Sequence, residues 1–175
     1  MYIYVGKGEW TIAGELSLRP ITDADLEFLF RLYASTREEE LAAVPWTAEQ
    51  KEAFLRQQFG AQHAYWQENY ADTSWDLVLL DGEPAGRLYV ARWPEQLRVV
   101  DIALLPEHRG RGLGGRLMRG VLAEGDAAGK PVSIHVEMYN PARSLYERLG
   151  FTVKADRGVY LLMERPPAAE TVDVS

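Results

Sequence analysis

A chain of 175 residues, 47% hydrophobic and 26% charged, carries enough apolar material for one sizeable core and too little length for two ordinary domains. The absence of cysteine excludes a disulfide scaffold, a thiol nucleophile and cysteine-ligated zinc or iron–sulfur sites, and three scattered histidines, His63, His108 and His135, do not offer a metal site instead. A formal charge of −7 argues against a nucleic-acid partner, which needs a broad basic face, so an anion bound here must be small and locally recognised.

In chain order, Met1 to Gly14 has neither the basic start nor the apolar stretch of a signal peptide. No run approaches the length needed to span a bilayer, so a cytoplasmic protein without a membrane partner is expected. Tyr2–Val5 and Trp10–Arg19 read as short strands around Gly6-Lys7-Gly8. Thr22 opens a helix, with Asp25 completing a capping box and Leu26, Leu29, Phe30 and Tyr33 as the buried stripe. An acidic link, Glu38-Glu39-Glu40, and Pro45-Trp46 lead to Thr47, which caps a long helix running to about Tyr70. Its stripe is Leu55, Phe59, Trp66 and Tyr70, and His63 between them reads as a core histidine.

Strands follow at Trp75–Leu80, Ala85–Trp93 and Leu97–Leu105, broken by Asp81-Gly82 and Pro94 and close enough for an antiparallel meander. Leu113, Leu117, Met118, Val121 and Leu122 mark an amphipathic helix ended by Gly125 or Gly129, and Val132–Val136 should return parallel to the strand before it. Asn140 as N-cap and Pro141 at the first helical position begin a short helix that Gly150 stops. Phe151 begins a final strand pair broken near Asp156 to Gly158, and Pro166–Ser175 reads as a flexible tail on a single domain of residues 1–165.

The chemistry is concentrated in Leu104-Leu105-Pro106-Glu107-His108-Arg109-Gly110-Arg111-Gly112-Leu113-Gly114-Gly115-Arg116, where a strand passes through a glycine-rich turn into a helix. A helix start leaves N–H groups unpaired and partly positive, and glycines remove the Cβ atoms that would block close approach, so such a turn can wrap a phosphate. Arg109, Arg111, Arg116 and Arg119 crowd this positive end, where acidic residues are preferred; an external anion resolves the conflict. The plainer alternative is a solvated basic helix face behind an ordinary loop. Gly110, Gly112 and Gly115 also satisfy G-x-G-x-x-G, but Pro106 to Arg109 intervene between strand and glycine and too little chain follows for a dinucleotide-binding fold, so nicotinamide chemistry is disfavoured.

These residues resemble the GNAT superfamily of CoA-dependent N-acetyltransferases. Arg109-Gly110-Arg111-Gly112-Leu113-Gly114 matches its signature of Arg or Gln, two residues, Gly, one residue, then Gly or Ala. Asn140-Pro141-Ala142-Arg143-Ser144-Leu145-Tyr146-Glu147-Arg148-Leu149-Gly150-Phe151 matches a second family feature, an asparagine opening a short helix that contains Leu-Tyr and ends in Leu-Gly-Phe. The resemblance implies an α+β fold: a mixed, mostly antiparallel central sheet of about seven strands with a parallel central pair, flanked by about four helices. It implies N-acetyl transfer from acetyl-CoA to a primary amine, small molecule or protein, by direct attack in a ternary complex, with no metal. A homodimer is compatible with it.

By the same resemblance, Arg109, Gly110, Arg111, Gly112, Leu113 and Gly114 would hold the pyrophosphate, and Ile102, Ala103 and Leu104 would offer main-chain hydrogen bonds to the pantetheine arm. The Leu104 N–H would meet the thioester carbonyl and its developing oxyanion. Asn140, Arg143 and Tyr146 would complete the cofactor contacts, with Tyr146 protonating the departing thiolate, a task suited to a phenol that stays protonated at neutral pH. Asp101 is the leading general base, on a face expected to be shared with Leu97, Val99 and Ala103; its alternative role is a salt bridge with Arg87 or Arg98. His135 and Glu137 are fallback bases. Glu38 and Trp46, with Glu39 and Glu40, are candidates to bind a cationic acceptor. The competing function is a CoA or acyl-CoA-binding module or sensor with little turnover.

Overall fold

The computed structural model describes residues 15–169. The expected strand Tyr2–Val5 and the start of Trp10–Arg19 lie outside these residues; the described part of the latter forms β1, Leu16–Pro20. The remaining elements are α1 (Leu26–Ala42), α2 (Ala48–Asn69), β2 (Thr73–Leu80), β3 (Glu83–Arg92), β4 (Leu97–Leu104), α3 (Leu113–Ala128), β5 (Val132–Glu137), α4 (Arg143–Arg148), β6 (Thr152–Asp156) and β7 (Tyr160–Arg165). The strands form one seven-stranded sheet in the order β1-β2-β3-β4-β5-β7-β6. Every neighbouring pair is antiparallel except β4 and β5, the two joined through α3, as the α+β expectation requires.

Two cores cover the two faces of the sheet. Leu113, Leu117, Met118, Val121 and Leu122 of α3 pack with Tyr146 of α4 on Leu88, Val90, Leu97, Val99, Val132 and Ile134. On the other face, Leu29, Leu32 and Tyr33 of α1 pack with Phe59 of α2 on Leu77. Alternate β-strand residues point to opposite faces, so a strand between two helical layers can be apolar on both.

Local signals explain most boundaries. The Thr22–Asp25 capping box is present, on a single 3₁₀ turn, and Asp25 also accepts two hydrogen bonds from Arg19, each 2.8 Å. Thr47 and Gln50 form the capping box of α2.

Four expectations need correction, and one open alternative, the glycine that ends α3, closes. Glu38-Glu39-Glu40 is not a link but part of α1, which runs on to Ala42. Gly129, in the left-handed region at φ 64°, ends α3, whereas Gly125 lies inside the helix, where a Cβ would meet Val132 Cγ2 at 2.8 Å. The regular part of α4 begins at Arg143, although Asn140 Oδ1 still accepts the Ala142 N–H in the turn before it. Asp101 does not share a face with Leu97 and Val99. Tyr89 pairs with Asp101 and Val90 with Val99, so Val100 is an extra, bulged residue and the alternation inverts there. Ile102 and Leu104 thereby join the α3 side, while Ala103 packs on the α1 side. The start of the tail is anchored as well: Ala168 N–H donates to Asp126, which also accepts from Arg165.

Candidate active site

The parallel pair is short. Leu97 pairs with Val132, Arg98 with Ser133 and Val99 with Ile134, and the register ends there although β4 continues to Leu104 and β5 to Glu137. Beyond Val99 the strands part, and the β4 main chain facing β5 is left without a ladder partner just past the bulge. The resulting wedge is narrow at Val99–Asp101 and wide at Leu104, where the chain enters the glycine-rich turn.

That turn takes its shape from its glycines. After a 3₁₀ turn at Pro106–His108, Gly110 and Gly112 adopt φ values of 70° and 78°, a region costly for residues with a Cβ. Gly112 is the N-cap of α3; no side chain caps it and no acidic residue occupies the first turn. The Arg116 N–H bonds back to the Gly112 carbonyl at 3.1 Å, so the amides before it have no intrahelical acceptor. Added Cβ atoms at Gly110 and Gly112 would meet open space, so the amide cradle is not filled by the protein itself. Arg109 braces it: Nε donates to the Leu104 carbonyl at 2.9 Å and an Nη to Ser35 Oγ of α1 at 3.1 Å. Arg111 is exposed, its Nη1 3.4 Å from His108 Nδ1.

Tyr146 and Asp101 converge on the wedge from opposite sides of the sheet. Tyr146 is 6% exposed, its ring 5.8 Å from that of Phe151. Burial, with the Asp101 charge as a second cause, pushes its phenol up to about 12, so it holds its proton at neutral pH. Asp101 accepts a 2.6 Å hydrogen bond from Nε of Arg87, a buried guanidinium that also lies over the rings of Trp66 and Tyr89. The expected salt bridge with Arg87 is therefore formed, and 27% of the Asp101 side chain remains accessible.

On the α1 and α2 side the wedge opens into a cavity of about 610 Å³. Val99 to Ala103 form its floor, Tyr33, Thr36, Arg37 and Glu40 of α1 and Gln62, Tyr65, Trp66 and Tyr70 of α2 one wall, and His135, Glu137, Asn140, Arg157 and Tyr160 the other. Of the residues expected at the site, Asp101, Ile102, Ala103, Asn140, the fallback bases His135 and Glu137, and Glu40 line this cavity; Leu104, Tyr146 and the glycine turn are not among its lining. Arg143 is half-buried and pairs with Glu147 on α4. Glu38 is exposed on α1, and Trp46, 43% exposed, packs on Phe54; neither lines the cavity. His63 stacks on Phe59, as a core histidine would. The sequence places Trp66 and Tyr70 on the core stripe of α2 and offers Arg98 only as a salt-bridge partner for Asp101, a role that Arg87 takes instead. The one signal for Arg98 was a charge between buried Leu97 and Val99 on a central strand.

The sheet, wedge and glycine turn define an acetyltransferase fold of the GNAT type. Residues 26–151 match the Acetyltransferase (GNAT) family, and the chain belongs to that family. No curated protein sequence matches the chain. Among solved structures, the PaiA N-acetyltransferase from Thermoplasma acidophilum, crystallised with coenzyme A, aligns at 18% identity with a TM-score of 0.66, over 87% of this chain and 99% of that one. An acetyltransferase from Thermus thermophilus aligns at 25% identity and TM-score 0.58, over 86% and 96%. The ribosomal-protein-S18-alanine N-acetyltransferase from Escherichia coli aligns at 16% and 0.61, over 92% and 99%. Among the described residues no helix is long and apolar enough to cross a membrane.

Proposed function

We propose that the chain, as one domain, transfers the acetyl group of acetyl-CoA to a primary amine by direct attack in a ternary complex. The observation that carries this reading is the parting of β4 from β5 beyond Val99 and Ile134, beside a helix start whose glycines hold left-handed backbone. Acetyl-CoA supplies an activated acetyl thioester. Main-chain amides from Gly110 to Gly114 bind its diphosphate, and the unpaired β4 edge through Ala103 and Ile102 takes the extended arm as an added strand would be taken.

Leu104 borders the cradle, whereas Tyr146 and Asp101 act on each other nearer the narrow end. We therefore assign the N–H donor to the acyl oxygen to the Val100–Ile102 stretch rather than to Leu104. Tyr146 gives its proton to the leaving sulfur, a step favoured by the burial that keeps the phenol protonated. Asp101, held by Arg87, takes the proton of the incoming amine directly or through water.

The test is thermal stabilisation by acetyl-CoA, followed by an amine screen that reads released thiol. Stabilisation with acceptor-dependent thiol release supports the enzyme. Stabilisation without release across the screen supports a sensor, and no stabilisation defeats both. For Asp101, an Asp101→Asn variant should lose turnover near neutrality and regain it as rising pH deprotonates the free amine. A loss constant with pH would leave Asp101 only its structural pairing.

A further inference from the structure

The charges around the cavity bear on which amine the enzyme accepts, an inference that rests on the acetyltransferase reading. Buried charges are ordinarily paired, because desolvation of a lone ion is expensive. Two of the arginines lining the cavity obey this: Arg87 pairs with Asp101, and Arg37 with Glu40 at 2.9 Å. Arg98 does not. It is 9% exposed, sits on central β4, and forms no ion pair among the described residues. Its Nε donates to Ser133 Oγ at 2.7 Å, its Nη1 lies 3.3 Å from His135 Nδ1, and its guanidinium carbon lies 5.2 Å from the centre of the Trp93 ring. Ser133 in turn donates to Gln96. Neutral groups fix the orientation of this guanidinium, and none neutralises it.

Two further groups add to the same corner. Because Arg98 can only donate, His135 Nδ1 must accept, which makes the ring a neutral imidazole with its proton on Nε2. Burial, then Arg98, then Arg157 lower the His135 pKa, so Arg157, from the turn between β6 and β7, lies close enough to be felt. Apart from Glu40 of α1, which is paired with Arg37, the carboxylates of the cavity lie further along the strands: Asp101 follows Arg98 on β4, and Glu137 follows His135 on β5, both toward the wedge. The cavity is thus graded in charge: cationic where β4 and β5 are paired, whereas where they part Arg87 offsets Asp101 and Glu137 adds a carboxylate outside any ion pair among the described residues. The α-carbons of Arg98 and Asp101, three residues apart on β4, are separated by about 10 Å at most, at about 3.3 Å per strand residue.

We infer that the corner formed by Arg98, His135 and Arg157 binds an anionic oxygen group of the acceptor, a carboxylate or a phosphate, while the amine of the same molecule faces Asp101 and Glu137. The acceptor is then a zwitterion, not the simple cationic amine that an acidic run such as Glu38-Glu39-Glu40 suggests.

The experiment uses the full chain with acetyl-CoA and three matched series: ω-amino carboxylates with one to five methylenes, the corresponding amino alcohols, and aminoalkyl phosphates. Thiol release gives kcat and KM, and NMR of the imidazole of His135 reports the corner directly. The expected result is a KM for the best anionic amine at least about tenfold below that of its matched alcohol, consistent with charge-assisted hydrogen bonds. Anion binding should also move the His135 titration upward, and the better of the carboxylate and phosphate series names the group. Arg98→Gln should erase the discrimination. Since that change is buried, the exposed Arg157→Ala provides a second variant and should raise KM for the anionic amine several-fold while acetyl-CoA affinity holds. Alcohols used as well as their anionic partners, with His135 unmoved by any anion, would overturn the inference and leave the acetyltransferase standing. Absence of acetyl-CoA binding would instead defeat the enzyme reading, and the His135 titration would then decide the anion corner alone.

Discussion

In the proposed function, the cradle and the cavity recognise ligands by different means. The cradle is a contiguous run from Leu104 to Arg116 that works through main-chain amides, positive-φ glycines and an uncapped helix start. The cavity draws side chains from α1, α2, β3, β4, β5, β7 and the turns before α4 and β7, each contributing from one to six residues. A main-chain site constrains neighbouring residues in the chain, because turn, glycine and helix start must follow one another. A side-chain site constrains only neighbours in space, so its residues are scattered and individually ordinary. Only the first kind of site leaves a motif.

The largest expected effect is at the boundary between the two. Tyr146→Phe removes the proposed proton donor and keeps the packing on Phe151, so kcat should fall by about 10²–10⁴-fold, the usual worth of a positioned acid, with acetyl-CoA affinity nearly unchanged. The pH profile sharpens this. The phenol is raised to about 12, so it stays protonated below that value and is lost only as pH rises through it. The wild-type rate should therefore show no alkaline decline from Tyr146 up to about pH 11. Unaltered turnover in the variant would remove the side chain from the chemistry and make the wedge, like the cradle, a purely main-chain site.

Next in size is the cradle itself. Gly112→Ala places a Cβ on a residue at φ 78°, a strain of about 1–2 kcal/mol for the left-handed region. If the strain is relieved by distorting the turn, acetyl-CoA affinity should drop about 5–30-fold by calorimetry, with amine KM little changed. Equal losses in both constants would mean that cradle and cavity are one cooperative unit.

Gly86→Ala tests the strand they share. Gly86 pairs with Leu104, and an added Cβ would meet the Ala103 carbonyl oxygen at 2.2 Å, a main-chain contact that cannot rotate away. Overpacking of this kind costs about 1–3 kcal/mol, read as a lowered denaturation midpoint. The displaced β4 should weaken acetyl-CoA binding as well.

How far the sequence carried differs along the same line. The capping boxes, the amphipathic α3 and the glycine turn were legible because each depends on residues a few positions apart. The bulge at Val100 was legible only in part: the apolar pair Val99-Val100 interrupts the alternation of Leu97 to Leu104, but two adjacent apolar residues are ordinary on a buried central strand, and only the pairing with β3 shows which one is extra. It is this bulge that carries Asp101 to the cavity face and onto Arg87. Likewise Trp66 and Tyr70 fall at core spacing on α2, and only the tertiary fold turns them toward a cavity.

The smallest expected effect marks where the cavity ends. Glu38 and Trp46 have the chemistry to attract a cationic amine, yet Glu38 is exposed, and Trp46 makes an edge contact with Phe54 at 5.3 Å. Trp46→Ala should therefore cost stability, about 0.5–1.5 kcal/mol for the aromatic pair, and leave amine KM within about twofold. Glu38→Gln should change neither quantity measurably, since exposed charges on a helix are worth little. The sensitive carboxylate on this helix is Glu40, which lines the cavity and holds Arg37, so Glu40→Gln frees a cation inside the cavity and should shift KM where Glu38→Gln does not. A KM change at Glu38 or Trp46 as large as that at Glu40 would extend the acceptor site beyond its present walls, toward the connection between α1 and α2.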